Sequence, residues 1–395
     1  MHKFVLIPVL LFFGLNAAAA DPLQDRLNLM EQMKYGYIDK TGTFIIEAQY
    51  EVADHFINGV ARVKRNKSDN WTFIDKTNTA VPHPTLAIKD AEIVDRFPSG
   101  DAWVVSKKVD KSTRYAVIDK QGQLLTQFDF YEIKIVQSES DISIAKYPDR
   151  KGCVYFDAQG RRINDQSYDK CGEFNRGLAK VVRQNKAGFL GSDGAMAIPF
   201  NFDDKYGLSF SIGEQGLIPA KIGKEYGYID RTGKTVIPPK FSAAGSFSEG
   251  FARIAYRNES GKEQRAVIDQ SGQIVFQLSY RKTGTGIHSG LISFQENGKW
   301  GFLDKAGNIA IPPTFPGGGS GTYFGPDFSE GLADVGPAKE YLRGYIDANG
   351  RYVIPPILND ASPFKDGVAR VMALPKAIRE KEYVQIIANW KNQQQ

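Results

Sequence analysis

The stretch EYGYIDRTGKTVIPP, residues 225–239, decides the fold. Tyr228 and Ile229 are strand formers. Asp230 can accept hydrogen bonds from the backbone two residues on, and Gly233 is free to adopt a positive φ. A strand, a tight turn and a second strand make a β-hairpin. Close copies are KYGYIDKTGTFII from Lys34, KWGFLDKAGNIAIPP from Lys299 and RGYIDANGRYVIPP from Arg343. Weaker ones are WTFIDKTNTAVP from Trp71, YAVIDKQGQLL from Tyr115, CVYFDAQGRRI from Cys153, AGFLGSDGAMAIP from Ala187 and RAVIDQSGQIVF from Arg265. The nine copies recur about every 35 to 44 residues, a repeat architecture.

The turn has a stated requirement. Acids stand at Asp39, Asp230, Asp304 and Asp347, each followed three residues later by glycine: Gly42, Gly233, Gly307 and Gly350. Where glycine is missing, Asn78 replaces it, the other residue that tolerates a left-handed backbone. The expected turn is type I closed by a glycine bulge. A second signature closes each unit, as in FSEGFARI from Phe247 and FKDGVARV from Phe364, and describes a turn feeding another strand. Between the signatures, Pro238-Pro239 and Pro355-Pro356 are expected to stop ladder pairing.

Neighbouring strand residues point to opposite faces, so Tyr37 and Ile38, or Phe302 and Leu303, both need cover. Each hairpin is therefore expected to lie between two others. Small residues three before the acid (Gly36, Ala116, Gly227, Gly301) are expected to admit a neighbouring unit. The fold class is all-β: about nine tandem hairpin or meander repeats in an open twisted array, with a closed β-propeller as the alternative. The expected division is a signal peptide over 1–20, a short helical cap over 21–33, the array over 34–374 and a C-terminal cap strand and tail over 375–395, the strand starting at Lys381.

These motifs resemble the WG-repeat family, through the pattern (W/Y)GFIDxxGxxVIPP followed by FSEGLAxV, over roughly residues 34 to 374; the Trp-Gly pair stands literally as Trp300-Gly301. The resemblance implies a β-rich repeat array and transfers no catalytic residue.

Residues 1–21, MHKFVLIPVLLFFGLNAAAAD, have a basic start at Lys3, an apolar core, and Ala18 and Ala20 before a cut near Asp21. That core is too short to span a bilayer, and no membrane span is expected after its removal. The formal net charge is +5, with acids and bases mixed along the chain, which gives no reason to expect a nucleic-acid partner. The two cysteines, Cys153 and Cys171, can form a disulfide in an exported chain or stay as buried thiols.

Candidate sites are few. One acid per turn falls short of the six to eight oxygens that calcium takes, so no metal or other cofactor is expected. His55, His83 and His288 lie in different repeats. Tyr35, Trp71, Tyr115, Tyr226 and Trp300 recur at one hairpin position, where they either form a stacking row for sugars or pack in the core. The Gly-rich segment 315–324 lacks the Lys and helix of a phosphate loop; its Tyr323 and Phe324 join the ligand-binding candidates. The expected function is a non-enzymatic binding or scaffold module, periplasmic or extracellular, for an envelope protein or polysaccharide. The alternatives are an envelope hydrolase using acids from unlike repeats, such as Asp54, Glu92 or Asp141, and a purely structural or adhesive protein.

Overall fold

The computed structural model describes residues 29, 31–97, 99–135, 142–148, 152–203, 212–280, 282–284, 286–316, 325–336, 342–380 and 383. The signal segment lies outside these, as does most of the expected cap over 21–33, where Leu29 and Glu31 are helical. The regular structure of the described chain is almost wholly strand, in nine antiparallel sheets of three or four strands. It forms two compact units, one of residues 1–69, 74–79 and 280–395, the other of 70–73 and 80–279.

Eight of the nine sheets are meanders of consecutive strands, and their make-up corrects the repeat as read from the sequence. In the first unit, one sheet runs Phe328–Ser329, Leu332–Val335, Arg343–Ile346, Tyr352–Leu358. The FSEGLADV signature therefore pairs forward, with the next Tyr-Ile-Asp hairpin, and does not close its own unit. Among the described residues no hairpin follows the final signature at Phe364: residues 376–380 and Tyr383 are helical, and the rest of the cap strand expected from Lys381 lies outside the described residues. The signature's strand Val368–Ala373 pairs instead with the first hairpin of the chain, in an unbroken register from Lys34↔Ala373 to Asp39↔Val368.

The sheet order is then Phe44–Tyr50, Lys34–Asp39, Val368–Ala373, Asp360–Ala361. Both chain ends meet in one sheet, so the open array is not what forms, and the propeller alternative fits. A second contact agrees. Gly42 sits 3.2 Å, measured from an added Cβ, from the Ile354 side chain of the preceding sheet. Gly233 meets Ile198, Gly272 meets Ile237 and Gly350 meets Ile311 in the same way, so the junction of the ends repeats the packing of ordinary neighbours.

The second unit holds five sheets in chain order, from Ala91–Arg96 to Ile274–Gln277. In both units the paired apolar residues divide between two cores. Tyr228 belongs to one cluster with Phe247 and Ile268, while Ile229 belongs to another with Ile198 and Ile218. Tyr37 and Ile38 separate likewise, and both are fully buried. Burial of each such side chain contributes about 1.5 to 3 kcal/mol, which a lone hairpin could not collect.

The prolines do not end pairing. Trp300 pairs with Phe315 and Phe302 with Ile311, so the fourth strand carries Pro312 and Pro313 as a bulge and then rejoins the ladder. That bulge folds over Gly301, where a Cβ would lie 2.6 Å from the Ile311 carbonyl oxygen and 2.7 Å from the Pro313 nitrogen. Gly36, Gly188, Gly227 and Gly344 meet the equivalent backbone of their own partner strands, at Ile46, Ile198, Ile237 and Ile354. The glycine thus makes room for its own partner strand, not for a neighbouring unit. Ala266 shows the converse: its partner strand lacks the prolines, and Ala266↔Gln277 and Val267↔Phe276 pair without a shift.

Candidate functional site

The recurrent acids do the work the turn demands. Asp39 accepts from Thr41 N at 2.9 Å and Thr43 N at 3.0 Å, and Gly42 N donates to the Asp39 carbonyl. Asp230, Asp304 and Asp347 repeat this pattern. Gly42, Gly233, Gly307 and Gly350 have φ of 86, 89, 87 and 77°, and Asn78 has 66°. The hydroxyl of Thr41 and adjacent amides hold the Asp39 carboxyl below its usual range, and Thr232 does the same for Asp230. The second signature forms a tighter turn: Glu249 and Gly250 both have positive φ, and Ser248 and Phe251 exchange backbone hydrogen bonds, a two-residue hairpin.

A role for tyrosine was hidden from sequence reading. The Tyr228 hydroxyl donates to the carbonyl of Gly245, seventeen residues on and in the next sheet, at 2.8 Å. Tyr37 reaches Asp54, Tyr155 reaches Gly172 and Tyr345 reaches Ser362 over the same separation. These are staples between consecutive sheets. Tyr228→Phe would orphan a carbonyl and is expected to cost about 1 to 2 kcal/mol in urea unfolding. Burial raises all four tyrosine pKa values far above the ordinary one. Below pH about 10 both folded and unfolded forms are neutral, and the stabilisation is complete. Above it the unfolded chain ionises first, so stability is expected to fall by about 1 kcal/mol per tyrosine per pH unit. Titration at 295 nm should show these phenols ionising only with unfolding; prompt ionisation of every tyrosine near pH 10 would contradict the staples.

Carboxylates also tie turns together. Glu330 accepts from Gly367 N in the next sheet at 3.0 Å and pairs with Lys40 at 3.1 Å; Glu214 accepts from Glu249 N at 3.0 Å. Cys153 and Cys171 are joined by a disulfide with Cα atoms 6.0 Å apart, linking strand Cys153–Phe156 to strand Lys170–Asn175 of the next sheet. Spacing left this pairing open because the strands belong to different sheets.

The aromatic row is divided between buried and half-buried positions. Trp300 is 3% and Tyr226 8% exposed, each inside a core cluster. Tyr35 and Tyr115 are half-buried against such clusters, and Trp71 is half-buried just ahead of its strand. Gly325 lies directly on the Trp300 ring, so the end of the Gly-rich excursion covers that indole. Tyr323 and Phe324 lie outside the described residues. Asp54 pairs with Arg62 and Glu92 accepts from Ser106, while Asp141 is outside the described residues. Among the described residues no group of His, Cys, Asp and Glu has the geometry to hold a metal ion.

The surface left over is patterned. Fourth strands each turn an aliphatic side chain outward, among them Ile45, Val236, Val275, Ile309 and Val353. The hairpins joining second and third strands lie at the opposite end of each meander from the Asp turns, and they are rich in lysine and arginine.

Tandem antiparallel sheets, four of them stapled to the next by a tyrosine, define a β-repeat protein. The family model described as WG containing repeat matches residues 35–68, 226–258, 267–300, 300–319 and 344–372, so the chain carries WG repeats at five places. No curated protein matches it. Among solved structures, it is similar to the Dos1 propeller at 10% identity, over 74% of this chain and 95% of that one, with a TM-score of 0.36. The β-propeller domain of the Trilobed protease from Pyrococcus furiosus is 11% identical over 77% of this chain and 95% of its own, with a TM-score of 0.31. An uncharacterized protein from Listeria monocytogenes is 10% identical over 69% and 97%, with a TM-score of 0.35.

Proposed function

We propose that the chain is a nine-bladed β-propeller acting as an exported, non-enzymatic binding or scaffold module, offering its repeat surface to a protein or polysaccharide of the cell envelope. One observation carries this reading: the residues that recur are occupied in building a frame. Asp closes turns, Gly admits the bulge, Tyr staples sheets, and Tyr226 and Trp300 of the aromatic row pack inward. What varies from sheet to sheet is loop and outer-strand surface, the part of a repeat array that recognises partners. Export is supported by the basic start, apolar core and small-residue cut at the N-terminus, and a disulfide suits an oxidising compartment.

The test is direct. Protein recovered from the producing cell's envelope fraction should begin near Asp21, carry oxidised cysteines and retain a defined envelope protein or glycan on affinity capture. An uncleaved chain with reduced thiols in the cytoplasm would defeat the export reading. Failure to retain any envelope component would defeat the binding one.

A further inference from the structure

Net charge along the chain is mild, but the meander sorts it by end. Within the unit containing 80–279, four second-to-third hairpins are fully described: 107–114, 183–186, 221–225 and 257–265. Together they hold eleven Lys and Arg against four acids. At the other end of the same sheets, the Asp turns 119–123, 157–161, 191–195, 230–234 and 269–273 with the turns 174–177, 213–217 and 247–251 hold five bases against seven acids. Consecutive sheets keep one sense, because Glu214 bonds the turn at Glu249 and Gly272 meets Ile237 at the same end. The positive hairpins therefore line one end of the unit.

We propose that this end binds an acidic polysaccharide, an inference that rests on the binding-module reading and gives its partner a chemistry. Lys108, Lys111, Lys186, Lys224 and Lys262 are exposed, so four of the unit's five sheets present a cation at this end, as a linear polyanion requires. Between them stand Gln184, Asn185, Ser112 and Ser260, exposed amides and hydroxyls suited to sugar hydroxyls. A lipid surface fits less well, since no exposed large apolar side chain lies in these four hairpins. Single-stranded nucleic acid needs open rings for its bases. Here the nearby rings are already capped: Lys107 lies 4.2 Å from the Phe128 centroid, and Arg183 lies 5.3 Å from both Tyr168 and Phe200.

The experiment measures binding of the mature protein to polygalacturonate, dextran, duplex DNA and phosphatidylglycerol vesicles at matched salt. Polygalacturonate should bind best, with affinity falling as salt rises. The variant Lys108→Gln/Lys111→Gln/Lys224→Gln/Lys262→Gln should lose at least about tenfold in affinity and show a shallower salt dependence. Its counterpart at the other end, Lys120→Gln/Arg161→Gln/Arg176→Gln/Lys234→Gln, removes the same charge and should lose less than about twofold. Equal losses in the two variants would overturn the proposal, as would preference for DNA or vesicles. Retention of dextran or an envelope protein, indifferent to the four lysines, would overturn it while leaving the binding module standing. No binding to any glycan or envelope component would overturn both.

Discussion

A chain ended at Leu358 is expected to lose most of its stability, although it keeps every Tyr-Ile-Asp hairpin. The deletion removes Asp360–Ala361 and Val368–Ala373, the strands that complete the sheet of Lys34–Asp39. Ile38, Phe364, Ala369 and Val371 share one buried cluster, so its loss uncovers Ile38, Tyr345 and Leu358 together. At about 1.5 to 3 kcal/mol for each large side chain, some 5 kcal/mol is forfeited. That is comparable with the whole stability of many domains. The bared edge of Lys34–Asp39 should also recruit other chains. Urea denaturation and light scattering would read both effects; an unchanged midpoint with a monodisperse product would show the last strands to be dispensable.

The second large effect is expected from Gly301→Ala. A single methyl there collides with the backbone of Ile311 and Pro313, which cannot move without undoing the bulge. Overpacking of this kind costs about 2 to 3 kcal/mol. The reverse exchange, Ala266→Gly, sits opposite a strand without that bulge and should cost only about 0.5 to 1 kcal/mol. Thermal unfolding of the two variants separates them. Equal losses would mean that glycine serves flexibility in the hairpin, not clearance for its partner strand.

What was legible in the sequence is what is local. Asp39 to Gly42 closes its turn with hydrogen bonds inside five residues, and Asn78 announced the positive φ by being the one other residue that tolerates it. The doubly buried Tyr37 and Ile38 were legible from strand alternation alone. Pairing between signatures was not, because Val368–Ala373 reads equally well as a partner for the hairpin before it or after it. The staple from Tyr228 left no trace because its acceptor is the Gly245 backbone carbonyl, which any residue supplies. Charge sorting stayed hidden for a related reason: Lys111 and Asp119 are neighbours in sequence but stand at opposite ends of one strand.

The junction of the chain ends is tested most directly by circular permutation. Lys34 and Ala373 are paired residues, so a turn of a few residues can join Leu374 to Met33, with new termini opened between Ser260 and Gly261 at a hairpin tip. The permutant is expected to fold with a melting temperature within a few degrees of the parent, as tolerated permutations at exposed tips do. Collapse of the permutant, with recovery only when a long flexible linker replaces the short turn, would contradict a shared sheet.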